Sequence, residues 1–102
     1  MCHSDVHIHS GAFDLGGGNQ LPLPLPNPFT LGHEVFGEVV AMGPDATDIN
    51  IGDKRIVYPW IGCSNCNVCD QGDEHLCSKG PVIGLMQPGG FGDHVVVPDS
   101  KY

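Results

Sequence analysis

The sequence predicts a mainly β fold, a small β-barrel or sandwich with long loops and one cysteine-rich lobe. Three observations carry this. Runs rich in valine and other β-formers are short and bounded by turn residues, as in Val35–Gly43, Arg55–Tyr58 and Asp93–Pro98. Turn-formers are dense, with 15 glycines and nine prolines in 102 residues, which leaves little room for long helices. Finally, four of the five cysteines crowd into Gly62–Cys77 as C-x2-C-x2-C-x7-C.

The chain opens Met1-Cys2-His3-Ser4-Asp5-Val6-His7-Ile8-His9. Ser4-Asp5 can cap a short helix, which would put His3 and His7 on one face. Cys2 among imidazoles and a carboxylate could be half of a metal site, or a stray thiol in a frayed terminus. Residues 10–20 hold Gly16-Gly17-Gly18 and read as a flexible loop, since the flanking strand and spacing of a phosphate loop are missing. The alternating Leu-Pro run at 21–26 is extended and stiff, a rigid connector.

Thr30-Leu31-Gly32-His33-Glu34 leads into the first predicted strand, where Gly37 suggests a bulge or close backbone approach. A lone His33 would be a surface residue unless it finds partners. Residues 44–53 form an acidic, turn-rich link, and a second strand follows at 55–58. Pro59-Trp60 then enters the lobe. After Cys77 the chain is irregular until a last predicted strand over Asp93–Pro98.

The lobe is the most specific feature. Two-residue gaps turn neighbouring thiolates to the same side, so Cys63, Cys66, Cys69 and Cys77 predict a closed, structural Zn²⁺ site at about residues 62–78. Disulfides would need an oxidising compartment, for which the chain carries no secretion signal. An iron–sulfur cluster would be expected to close with a shorter last gap and a following proline, whereas Ser78 follows Cys77. A net charge of −8 with four Lys and Arg argues against nucleic acid and anionic membrane surfaces. With no membrane-length apolar run, a cytoplasmic setting is expected.

Taken together, Cys-His-Ser-Asp at 2–5, Gly-His-Glu at 32–34, Gly-Asp at 52–53, the cysteine lobe and Gly-Gly-Phe…Val-Val-Val-Pro at 89–98 stand in the order seen in zinc-dependent medium-chain alcohol dehydrogenases. The chain resembles their GroES-like catalytic domain. That resemblance implies a GroES-like small β-barrel and oxidation of an alcohol to an aldehyde or ketone with NAD(P)⁺. Cys2 and His33 match two ligands of the catalytic zinc, and Asp5 a group that orients the histidine. Glu34 matches the carboxylate beside that zinc, and Ser4 the hydroxyl on the substrate oxygen. His7 matches the outer end of a proton relay, His3 a side chain near the cofactor pyrophosphate, and Trp60 a pocket-lining aromatic. Cys63, Cys66, Cys69 and Cys77 match the structural zinc site.

Nothing in residues 1–102 matches the family's nucleotide-binding domain, its opening strands or the third catalytic-zinc ligand. The chain is therefore expected to be a partial GroES-like domain, inactive alone, of a parent that handles a small-molecule alcohol or carbonyl and is commonly a homo-oligomer. A non-catalytic zinc-binding module is the alternative.

Overall fold

The structure, a computed structural model, describes all of residues 1–102. It is mainly β, with two separate two-stranded antiparallel sheets. The elements run α1 (His3–Ser10), β1 (Ala12–Gly16), β2 (Asn19–Pro22), β3 (Val35–Glu38), β4 (Lys54–Val57), α2 (Asn67–Asp70) and a 3₁₀ turn at Glu74–Leu76. No helix is long and apolar enough to cross a membrane.

Helix α1 forms as expected, but its N-cap is Cys2, not Ser4-Asp5. Asp5 acts from the third position inward, where its Oδ2 accepts the Cys2 N–H at 3.1 Å. The helix stops at Gly11, which takes the left-handed φ of 84° that favours glycine. Ile8 is its buried anchor, 4% exposed.

Residues 10–20 are not a free loop. β1 and β2 make a hairpin in which Phe13 faces Leu21 and Asp14 faces Gln20. Gly17 and Gly18 close it, both at positive φ, the conformation a tight hairpin turn demands. The glycines that suggested flexibility are the ones that make the turn. Pro22 is tolerated because every strand of a two-stranded sheet is an edge.

The second sheet pairs Val35 with Val57, Phe36 with Ile56, Gly37 with Arg55 and Glu38 with Lys54. The regular strand ends at Glu38 rather than Gly43, although Val39 still exchanges backbone bonds with Asp53 and Gly52 at 2.9 and 2.8 Å. Gly37 is neither bulged nor crowded, since its register is unbroken and a Cβ there would meet nothing within 4 Å. The acidic link is tied back by Arg55, which donates to Asp53 Oδ2 at 2.9 Å and to the Asp48 carbonyl at 3.1 Å. The strand expected over Asp93–Pro98 is absent, and no backbone ladder in the chain pairs with it. Valine preference alone does not make a strand without a partner edge.

Only nine residues are buried, and Ile8, Ile61 and Ile83 are the buried hydrophobics among them. Gly32, Gly80, Gly84 and Gly89 are buried too, so backbone packs on backbone. A Cβ on Gly84 would fall 2.6 Å from the Gly32 carbonyl oxygen. One on Gly89 would overlap that same oxygen, and one on Gly80 would overlap the Ile61 carbonyl. This glycine crossing is laced by hydrogen bonds. Gly89, Gly90 and Phe91 N–H groups donate to Thr30, Gly32 and Leu31 carbonyls at 2.8, 2.8 and 2.9 Å. It fixes the backbone immediately before His33.

Candidate metal centres

Two clusters of ligand-type side chains form. The first joins segments 31 residues apart. Cys2 Sγ lies 3.1 Å from His33 Nε2, and Asp5 Oδ1 lies 3.2 Å from His33 Nδ1. Cys2 is brought there by the N-cap of α1, and His33 by the glycine crossing on one side and β3 on the other. The imidazole is thus held between a sulfur and a carboxylate, one at each nitrogen.

Asp5 is the telling member. Its side chain is 3% exposed, and Oδ1 has no well-directed hydrogen bond although Nδ1 is within contact distance. A buried carboxylate oxygen left this way is costly unless a charged or strongly polarised donor faces it. A histidine that gives Nε2 to a cation and turns its Nδ1–H to Asp5 would meet that need. The donor set of thiolate, imidazole and buried carboxylate therefore fits a divalent ion with an incomplete shell.

The other predicted residues gather around this centre unevenly. Ser4 and His7 are half-buried on the first turns of α1. His3 is exposed, its Nδ1 3.0 Å from His7 Nε2, as the four-residue spacing led us to expect. Glu34 is 54% exposed and its carboxylate meets the Met1 amino group at 3.0 Å. Trp60 sits instead with Tyr58, ring centres 5.6 Å apart, and bridges to Val82.

The second cluster is the lobe. Cys63, Cys66, Cys69 and Cys77 place their sulfurs within 4.8 Å of one another, all as free thiols. Cys66 Sγ is 3.6 Å and Cys63 Sγ 3.9 Å from Cys69 Sγ. Four sulfurs at about 2.3 Å from one tetrahedral ion would stand about 3.8 Å apart, so the cage is already at metal-binding size. Ser64 and Gly72 make the turns at φ of 52° and 85°, and α2 carries Cys69 back toward Cys66.

The electrostatics point the same way. Backbone N–H groups of Lys79 and Cys63 pull the Cys77 thiol down to about 6. The Cys69 backbone and side chain pull Cys66 down as well. Burial, then the hydrogen bond with Cys66, pushes Cys69 up to about 12. For Cys63 the Asn65 N–H pulls down, but burial and its cysteine neighbours together win and raise it. The set is thus uneven, with Cys77 and Cys66 lowered and Cys69 and Cys63 raised, and a dication at the centre would draw the remaining protons off the sulfurs.

The lobe is strapped by the C-terminal turn, which the sequence did not flag. Gly62 N–H donates to Tyr102 Oη at 2.9 Å, and Lys101 Nζ to Glu74 Oε1 at 2.7 Å. Docking a half-buried Tyr102 against a loop forty residues away has no local signature.

The chain is similar to known proteins along its whole length. The alcohol dehydrogenase GroES-like domain family matches residues 1–102. The chain belongs to that family. It is 39% identical over 103 residues to the NAD-dependent alcohol dehydrogenase of Saccharolobus solfataricus, covering 100% of this chain and 29% of that protein. The crystal structure of an NAD-dependent alcohol dehydrogenase superposes with a TM-score of 0.79 at 30% identity, over 96% of this chain and 26% of that one. A protein described as a zinc-binding dehydrogenase from Sinorhizobium meliloti, bound to NADP, gives a TM-score of 0.67 at 34% identity, over 89% and 24%. The chain thus spans less than a third of the relatives it matches.

Proposed function

We propose that this chain is the metal-binding part of the catalytic domain of a zinc-dependent, NAD(P)-linked alcohol dehydrogenase. The observation that carries the reading is His33 held between Cys2 Sγ and Asp5 Oδ1 at 3.1 and 3.2 Å. Cys2 and His33 hold the catalytic zinc, and Asp5 keeps the imidazole turned and basic. Cys63, Cys66, Cys69 and Cys77 hold the structural zinc. The third catalytic ligand and the nucleotide-binding domain belong to the remainder of the parent protein.

Zinc supplies a Lewis acid that lowers the pKa of an alcohol hydroxyl, and NAD(P)⁺ supplies the hydride acceptor. The chain's own residues handle the proton. Ser4 hydrogen-bonds the substrate hydroxyl and takes its proton while giving up its own, and His7, three residues on along the same helix face, carries that proton outward. His3 would lie near the cofactor pyrophosphate, and Glu34, next to His33 in sequence, would be the carboxylate beside the ion. Trp60 lines the substrate pocket. The substrate is a small alcohol, the product an aldehyde or ketone, and the parent a homo-oligomer in the cytoplasm. The two hairpins belong to the small barrel of the GroES-like fold; in support, Phe36 and Ile56 pair across β3 and β4 yet are 69% and 79% exposed.

The test is zinc content of the purified chain against Cys66→Ser and Cys2→Ser. One zinc lost with Cys66→Ser, and a second, weaker one lost with Cys2→Ser, supports the reading. One zinc that Cys2→Ser leaves untouched even at saturating metal favours a non-catalytic zinc-binding module. Iron, or no metal in the reduced protein, overturns the zinc assignment.

A further inference from the structure

We propose that His3 and His7 form a third, bidentate site for a divalent transition-metal ion on the outer face of α1. The site is distinct from both clusters above. The two residues are four apart on an eight-residue helix, so their side chains project from one face. His3 Nδ1 and His7 Nε2 converge to 3.0 Å. Two nitrogens at about 2.0–2.1 Å from one ion stand about 2.9 Å apart at a right angle and about 3.4 Å apart at the tetrahedral angle. The pair is therefore spaced for adjacent positions on one ion, nearest to the right-angled arrangement of Cu²⁺ or Ni²⁺. The two nitrogens are at hydrogen-bond distance, and an ion would take the place of that contact.

Surrounding groups allow this. His3 is exposed, and His7 is half-buried with the Phe13 ring 5.6 Å away on one side. The ion would keep water in its remaining positions. Cys2 adjoins His3 in sequence, but its sulfur is turned to His33 at 3.1 Å. The donors are thus two imidazoles without thiolate or carboxylate, which selects Cu²⁺, Ni²⁺ or Zn²⁺ over Ca²⁺ and Mg²⁺. A net charge of −8 favours approach of a cation. Ion binding here stands apart from the enzymatic reading. Combined with it, the ion would compete with proton transfer, because both use the His7 imidazole.

The probe is Ni²⁺, which unlike Cu²⁺ does not oxidise thiols, added to the zinc-saturated full chain. Equilibrium dialysis should retain one Ni²⁺, with paramagnetic broadening of imidazole proton signals strongest at His3 and His7 and weak at His75 and His94. His3→Gln and His7→Gln should each weaken binding at least about tenfold, since only one ligand then remains and the chelate advantage is gone. His9→Gln should leave it unchanged. Retention by the His3→Gln/His7→Gln double variant, equal loss in His9→Gln, or no Ni²⁺ held by the wild type overturns the proposal. The broadening pattern of the wild type decides the matter even where a variant misfolds. Zinc stoichiometry is read separately, so failure here is distinct from failure of the dehydrogenase reading.

Discussion

The Phe91 ring lies against the bare Cα of Gly32, so close that a Cβ on Gly32 would sit 2.6 Å from Phe91 Cδ1. Gly32 also holds φ at +98°, a conformation other residues rarely adopt. Its neighbour is His33. Gly32→Ala is expected to combine left-handed strain with displacement of the ring, lowering stability by about 1–3 kcal/mol. It should also loosen metal binding by Cys2 and His33. Thermal unfolding and metal titration of the same variant check both, and Gly37→Ala, at an uncrowded site, is the control.

Asp5→Asn keeps the size of the side chain but removes the charge facing His33 Nδ1. Affinity at the Cys2–His33 centre should fall about 10–100-fold, the usual effect of losing the partner behind a ligating histidine. The four-cysteine centre should be unaffected. Co²⁺ absorption, titrated against a competing chelator, separates the two sites.

Metal binding in the lobe should expel protons, because Cys69 is pushed up to about 12 and must lose its proton to ligate. Cys77, pulled down to about 6, contributes almost none at pH 7.5. Cys63, raised as well, also gives up a proton, so the expected release is at least about two protons per ion and fewer than four. Calorimetry of zinc binding in buffers of different ionisation enthalpy gives the count, and a value near four would refute the lowered Cys77 thiol.

Chelation of the lobe metal should unfold locally. Amide exchange should accelerate over residues 62–78 and in the Asp99–Tyr102 turn strapped to them, since Gly62 bonds Tyr102 and Glu74 bonds Lys101. The β3–β4 hairpin shares none of these bonds and should be spared.

The Glu74–Lys101 pair gives a pH prediction. The Lys101 ammonium holds the Glu74 carboxyl below its usual 4.5, and Glu74 in turn raises Lys101. A depressed carboxylate stabilises the fold above its unfolded pKa and stops doing so as pH falls through its folded value. Glu74→Gln should therefore melt at a lower temperature than the wild type at pH 7, and the difference should shrink as pH drops below about 4.5. A constant difference across that range would show that packing against Gly62, where a Cβ would meet Glu74 Cγ at 2.7 Å, and not charge, is what Glu74 supplies.

What could be seen in the sequence was what is local. The cysteine spacing describes a loop that closes on itself, and the i, i+4 histidines need only a helix. Cys2 and His33 could be joined only by family resemblance, because their contact spans 31 residues. The hairpin over Ala12–Pro22 was hidden by its own glycines, which read as slack until Gly17 and Gly18 are seen at positive φ. The Val95-Val96-Val97 run misled in the opposite sense, since β propensity says nothing about whether a neighbouring edge exists. The glycine crossing was least legible, because what matters at Gly84 and Gly89 is a carbonyl from Gly32 more than fifty positions earlier.

That crossing has a consequence for how the chain can change. Ordinary interiors drift by trading bulk, one side chain shrinking as its neighbour grows. Where Gly84 and Gly89 meet the Gly32 backbone there is no side chain to trade, so no second substitution can make room for a Cβ at either. The backbone leading to His33 is thereby locked to the smallest residue in the alphabet, and variation must be accommodated elsewhere, on the hairpins and the lobe surface.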